Sequence, residues 1–249
     1  MEVHHHPNLN HKEKPWKEYL LEGLMIFVAV TMGFFAETIR ERLVEKEKER
    51  QYVESLVADL KSDIRNADQS IQEHKKLIGL LDSLFTYIND PVAIKQQSDL
   101  IYYAARIGPR IITYVNNART FDQLSAGGFR LIQRIPVSNQ IVEYYDLLPH
   151  LRLLENGALG EFHQYQQIVS TILDPAVMKK QEKPDGTITK SNDNPPLLNY
   201  SPQILKQLGI YIVYINGSRR SIVPDLENIK IKAEELIQFL QKEYHLEKE

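Results

Sequence analysis

Apolar residues crowd the first forty positions, switching on at Tyr19 and off after Ile39, and from Arg40 onward the chain is written in a different pattern. Tyr19 to Ile39 is 21 residues, about 30 Å as a helix, which matches the hydrocarbon core of a bilayer. Trp16 and Tyr19 stand where an aromatic belt would, and Arg40 and Arg42 mark the other rim. The pattern predicts one transmembrane helix, 19–39, between a polar, histidine-containing tail (1–18) and a soluble domain (40–249). Glu22 interrupts the span and leaves Leu24 to Ala36, 13 residues, as the strictly uncharged stretch. That length also suits a core helix or an interfacial one. A cleaved signal peptide is a third reading, and Phe34 with Ala36 makes a poor small-x-small cleavage site for it.

At about 100° per residue the span has two unlike faces. Glu22, Ile26, Ala29, Gly33, Ala36 and Glu37 share one, and Leu24, Phe27, Val28, Thr31 and Phe35 the other. Small residues four apart, Ala29 and Gly33, allow two helices to approach closely, and an intramembrane carboxylate usually faces protein or water. The acidic, small face is therefore the candidate packing surface for a homo-oligomer or a partner membrane protein. The plainer alternative is that Glu22 snorkels to the near interface and the small residues are incidental. Two orientation signals point opposite ways. Basic residues after the span (Arg40, Arg42, Lys46, Lys48, Arg50) outnumber those before it (Lys12, Lys14, Lys17), which favours a cytoplasmic C-terminal domain. An uncleaved N-terminal anchor, however, commonly delivers a long C-terminal domain outward.

The period then becomes helical. From Val53 the apolar positions run Val53, Val57, Leu60, Ile64, Ala67, Ile71, His74, Ile78, Leu81, Phe85 and Ile88, in steps of four and three. This is a coiled-coil-like seam on a long first helix, stopped by Asn89-Asp90-Pro91. His74 is its polar member: a buried imidazole that needs a partner and could fix register or answer to pH, or a histidine at the seam's edge. A second helix is expected from Ser98 to Ile107, ended by Gly108-Pro109, and a third from near Arg110. Thr120 with Gln123 reads as a capping box. Gly127-Gly128 reads as a helix end that needs left-handed φ, and Ser138 as the next N-cap. Spacing resumes from Gln140 to Ile172, with a kink expected at Pro149 and an interruption near Gly157. Residues 174–200 form a polar loop, rich in Pro, Asp, Asn and Lys, of the kind that can be disordered. Ser201-Pro202 opens a helix, Pro224-Asp225 punctuates it, and an amphipathic helix follows to Tyr244. No run alternates strictly enough for a strand, so the expected fold is all-α, an elongated helical bundle whose first helix continues the membrane helix.

The stretch Trp16-Lys-Glu-Tyr-Leu-Leu-Glu-Gly-Leu-Met-Ile-Phe-Val-Ala-Val-Thr-Met-Gly-Phe-Phe-Ala-Glu-Thr-Ile-Arg40, with His4-His-His-Pro7 ahead of it, resembles a family of uncharacterised bacterial single-pass membrane proteins. A second match lies at Thr120 to Ile132 and Ile141 to Tyr145, and together they cover about a fifth of the chain. The sequence departs at Gly23, where such proteins usually carry a bulky apolar residue, and at Gly128, where Asn is common. The resemblance implies a protein of the bacterial inner membrane and carries over no catalytic residue. It also speaks against an expression tag as the source of the three histidines.

Composition narrows the chemistry. With 30 basic and 33 acidic residues the net charge of -3 makes no case for nucleic acid. The absence of cysteine excludes disulfides, thiolate catalysis and cysteine metal sites. HExxH, GxSxG, Walker A, GxGxxG and EF-hand patterns are all missing, so no catalytic residue and no cofactor are implied. His4, His5, His6 and His11 could hold a divalent cation, but in a polar tail without scaffold they read better as solvated. Two functional classes follow. One is a membrane-anchored structural or interaction scaffold, and the other a sensory or transport accessory module whose bundle binds a ligand. A continuous apolar groove would favour the first, and a buried polar pocket the second.

Overall fold

The computed structural model describes residues 16–191 and 193–247. Its helices are α1 (Trp16–Asn89), α2 (Ala93–Gln96), α3 (Ser98–Ile107), α4 (Arg119–Ala126), α5 (Ile135–Tyr145), α6 (Leu148–Val169), α7 (Pro175–Lys180) and α8 (Pro202–Tyr244). Among the described residues there is no strand, and a single isolated bridge joins Glu182 to Ile188, so the chain is all-α. It divides into two compact units, Met1–Gln51 and Tyr52–Glu249.

In the first unit α1 is apolar and long enough to cross a membrane, and none of the apolar stretch is buried within the chain. Its two threonine hydroxyls fold back onto the helix: Thr31 Oγ1 donates to Phe27 O (2.7 Å) and Thr38 Oγ1 to Phe34 O (2.9 Å). This satisfies them without water.

The second unit is built on α1 and α8, which run antiparallel. Asp68 pairs with Lys230 (2.7 Å), Lys75 with Glu227 (2.9 Å) and Asp82 with Arg220 (2.8 Å). Such exposed pairs contribute about 0–1 kcal/mol each and mainly report register. Two apolar clusters do the holding. One gathers Val53 to Ile71 of α1, the α5 residues Val137, Ile141, Tyr144 and Tyr145, and Ile222 to Leu240 of α8. The other gathers Leu81 to Ile88, the α3 residues Ile101 to Ala105, Tyr165 to Leu173, and Leu208 to Ile215. A fully buried Leu or Ile in either contributes roughly 1.5–3 kcal/mol of transfer free energy.

Several boundaries follow the expected chemistry. At the end of α1 the Asp90 carboxylate accepts from the amides of Val92 (2.8 Å) and Ala93 (3.2 Å). Ser201 is the N-cap of α8, with Pro202 in its first turn. Gly127-Gly128 closes α4 as a Schellman motif. The Phe129 amide donates to Leu124 O and the Gly128 amide to Ser125 O, both at 2.9 Å, with Gly128 at φ +63°.

Other expectations need correction. No helix starts near Arg110, since residues 110–118 are irregular. Thr120 is no capping-box residue, because α4 already begins at Arg119, and its amide and hydroxyl donate to Asp59 on α1 instead. Ser138 lies inside α5, which starts three residues earlier with Pro136 in its first turn. Pro149 sits in the first turn of α6, where no intrahelical N–H is lost, so the break falls before it, at Asp146–Leu147. Gly157 interrupts nothing. Pro224 does not divide α8: the exposed ring faces away from the core while Ile222, Val223 and Leu226 hold both sides of it in the apolar cluster. The polar stretch 174–200 carries α7 and, after it, a turn closed by Lys183 N to Thr187 O (2.8 Å).

Candidate functional site

The residues singled out in the apolar segment lie at its surface. Ile26, Ala29, Gly33, Ala36 and Glu37 are exposed and Glu22 is half-buried. A methyl group added at Gly33 would meet nothing within 4 Å, and the opposite face, with Leu24, Phe27, Val28 and Phe35, is exposed as well. Glu37 is engaged by Arg40, Nε to Oε2 at 2.9 Å. The histidines at 4, 5, 6 and 11 lie outside the described residues.

Along the seam, Val53, Val57, Leu60, Ala67, Ile71, His74, Leu81 and Ile88 are buried, and Ile64 and Ile78 are partly buried against the first cluster. Phe85 is 40% exposed. Leu56, Leu77 and Leu84, off the seam by period, are buried as well. The contact face of α1 is thus wider than a two-stranded coiled coil needs, because other helices cover it from more than one side.

Phe85 opens onto an apolar groove of about 570 Å³, lined by Asn89, Leu205, Lys206, Gly209, Ile210, Val213 and Tyr214. Ile210, Val213 and Tyr214 are more than half exposed. They stand three and four residues apart, one face of α8 turned outward.

A carboxylate network supports the irregular segment 110–118. Asp63 Oδ1 accepts from the Asn117 amide (2.6 Å) and Oδ2 from the Tyr144 hydroxyl (2.8 Å). Glu155 Oε1 accepts from the Tyr114 amide (2.6 Å), and Arg152 holds both Glu155 Oε2 (3.1 Å) and Tyr114 O (2.8 Å). Side chains replace the intrahelical partners that the backbone lacks at buried Tyr114 and half-buried Asn117. Burial pushes the Asp63 carboxyl up to about 6, opposed by the Asn117 and Tyr144 hydrogen bonds. It also lifts the phenols of Tyr114, Tyr144 and Tyr145 far above their ordinary range, keeping them protonated.

No family model, curated protein or solved structure matches this chain. Its chemistry therefore rests on the residues themselves.

Three other polar members of the core stand at one level. Between the two apolar clusters α1 contributes His74 and α8 contributes Asn216 and Arg219, all buried. Asn216 Nδ2 donates to Asp82 Oδ1 (2.8 Å), and Arg219 Nη2 donates to the carbonyl of Arg110 (2.5 Å). Neither nitrogen of His74 has a protein partner, and neither do Nε and Nη1 of Arg219. Desolvation, helped by the charge of Arg219, pushes the imidazole down to about 4, so it is neutral. Desolvation alone brings the guanidinium down to about 10, still charged at neutral pH. Among the described residues His74 thus has no hydrogen-bond partner in the seam. Its neighbour Arg219 carried no periodic signal, because an arginine on an amphipathic helix normally marks the solvent side. A polar groove of about 340 Å³ opens nearby, lined by Asn66, Gln69, Ser70, Glu73 and Ile112 to Val115. Among the described residues no three His, Asp or Glu side chains are grouped to hold a metal ion.

Proposed function

We propose that this chain is a single-pass membrane protein without enzymatic activity, a helical scaffold that self-associates or engages a partner membrane subunit. The observation that carries the reading is the contrast between the two units. The second buries its own Leu, Ile and Val in two clusters, whereas the first leaves Leu24, Ile26, Phe27, Phe34 and Phe35 uncovered. An unburied apolar stretch of that length is stable in lipid, where its internally bonded backbone and hydroxyls need no water. The Ala29/Gly33 face supports close packing of a second helix, and the apolar groove at Phe85, Ile210, Val213 and Tyr214 supports a contact outside the lipid. The resemblance of Trp16 to Arg40 to bacterial single-pass proteins fits an inner-membrane location.

Two measurements test it. The full chain is expected to resist alkaline carbonate extraction from membranes, and release by the wash would end the membrane reading. Crosslinking in the membrane is expected to trap a dimer or a heterologous complex that Gly33→Ile weakens roughly tenfold or more. An unchanged crosslinked fraction would remove that face from the interface.

The buried His74–Arg219 level and the polar groove favour a second reading, a sensory or transport accessory module. Protection of 110–118 from hydrogen exchange by an added organic ligand, at fixed salt composition, would distinguish it from a scaffold.

A further inference from the structure

Arg219 is buried in the middle of the bundle, yet among the described residues no carboxylate forms an ion pair or hydrogen bond with it. The acidic groups of the surrounding helices make their hydrogen bonds to other donors, and Glu161 keeps Oε2 without a partner. Asp82 takes Asn216 and Arg220, Asp63 takes Asn117 and Tyr144, and Glu161 Oε1 takes Ser218. Glu73 stands exposed at the groove. Basic groups predominate around the turn that Arg219 holds: Arg110 is its acceptor by the backbone, and Arg106, with Glu182 4.0 Å away, lies four residues earlier at the end of α3. An unpaired buried cation costs several kcal/mol, and a fold that keeps one supplies a counter-charge.

The donors at this level outnumber the acceptors. Arg219 offers Nε–H and both Nη1 hydrogens, and neutral His74 offers one N–H. Within these residues the unmet acceptors are the other His74 nitrogen and Asn216 Oδ1; Ser70 Oγ on α1 and Glu161 Oε2 on α6 are also buried without a partner, and neither is hydrogen-bonded to Arg219. What completes the set must accept several hydrogen bonds and carry negative charge. With His74 and Arg219 each 3% exposed, it must also be small.

We propose that the level between the two apolar clusters binds a small inorganic anion of about the size of chloride, held by Nε and Nη1 of Arg219 with the His74 imidazole beside it. Through the Arg219 to Arg110 hydrogen bond, occupancy ties α8 to the turn at Gly108 to Arg110 and hence to the start of the irregular segment. The anion is a structural ligand that sets how firmly that segment is held, and the inference does not depend on the chain being a scaffold or on its crossing a membrane.

The test uses the full chain in detergent, with chloride and bromide as probes. Against methanesulfonate at matched ionic strength and pH, chloride above its Kd is expected to raise Tm with the logarithm of its concentration, by roughly 3–5 °C per tenfold. The rise should vanish in Arg219→Met. Crystals grown in bromide should show an anomalous peak within about 3.5 Å of Arg219 Nε. That readout needs no variant, so it decides even if Arg219→Met does not fold. Bromide density absent at Arg219, with ordered water in its place, overturns the proposal. So does an equal chloride response in wild type and Arg219→Met.

Discussion

Two buried titratable side chains oppose each other in their effect on stability. Asp63 has its carboxyl raised from 3.8 to about 6, so its ionised form is disfavoured by folding. Its contribution is fully present below pH 3.8 and is lost as pH rises through 6. His74 is lowered from 6.5 to about 4, so its contribution is present above 6.5 and is lost as pH falls through 4. Over pH 4–6 the two slopes have opposite sign and nearly cancel, each at most about 1.4 kcal/mol per pH unit. In chloride-free buffer, Asp63→Asn should therefore lose stability on acidification relative to wild type, and His74→Gln should gain it. Denaturant midpoints across that range check both. Parallel profiles for the two variants would show that neither group titrates as its burial requires. The seam position of His74 is plain in the sequence. Its lack of a protein partner is not, because Arg219 stands far along the chain and meets it only by tertiary packing.

At the level of elements, periodicity located most helices and failed where another part of the chain replaced a local signal. Residues 110–118 contain no Gly or Pro but are mostly β-branched residues and Asn of low helix propensity, and Asp59, Asp63 and Glu155 hold them irregular by accepting from the amides of Thr120, Asn117 and Tyr114. Gly108 makes room for this turn, since a Cβ there would lie 2.7 Å from both Ala104 O and a methyl of Leu81. Pro224 shows the reverse case, a breaker overruled. It removes one helical hydrogen bond and crowds the carbonyl of Arg220, while Ile222, Val223, Leu226 and Ile229 stay buried on one stripe and carry α8 past it. Pro224→Ala should restore that bond and raise stability by about 1–3 kcal/mol, read from thermal or denaturant unfolding. A destabilised variant would mean that the core is fitted to a bend at Pro224.

For the whole molecule, the division at Gln51–Tyr52 has a direct consequence. Both apolar clusters draw only on residues from Val53 onward, so a fragment of residues 52–249 contains its entire core. Expressed without the first unit, it should be soluble without detergent and unfold in one cooperative transition, as circular dichroism and size exclusion would show. Aggregation, or loss of cooperativity, would mean that the first unit is needed for folding.

By itself the sequence determined whatever depends on neighbours along the chain. The apolar run at Tyr19 to Ile39, the step-of-four-and-three spacing from Val53, the stop at Asn89-Asp90-Pro91, the Ser201-Pro202 start and the left-handed turn at Gly128 are all short-range physics of burial and backbone geometry. Tertiary structure alone decided which polar groups meet. Asp63 reaches Tyr144 across α1 and α5, Arg219 reaches the Arg110 carbonyl across α8 and a loop, and Phe85 leaves the seam to line a groove with Gly209. A buried hydrogen bond or an unpaired charge gains its energy from desolvation, and desolvation belongs to the packed assembly of helices rather than to any one of them.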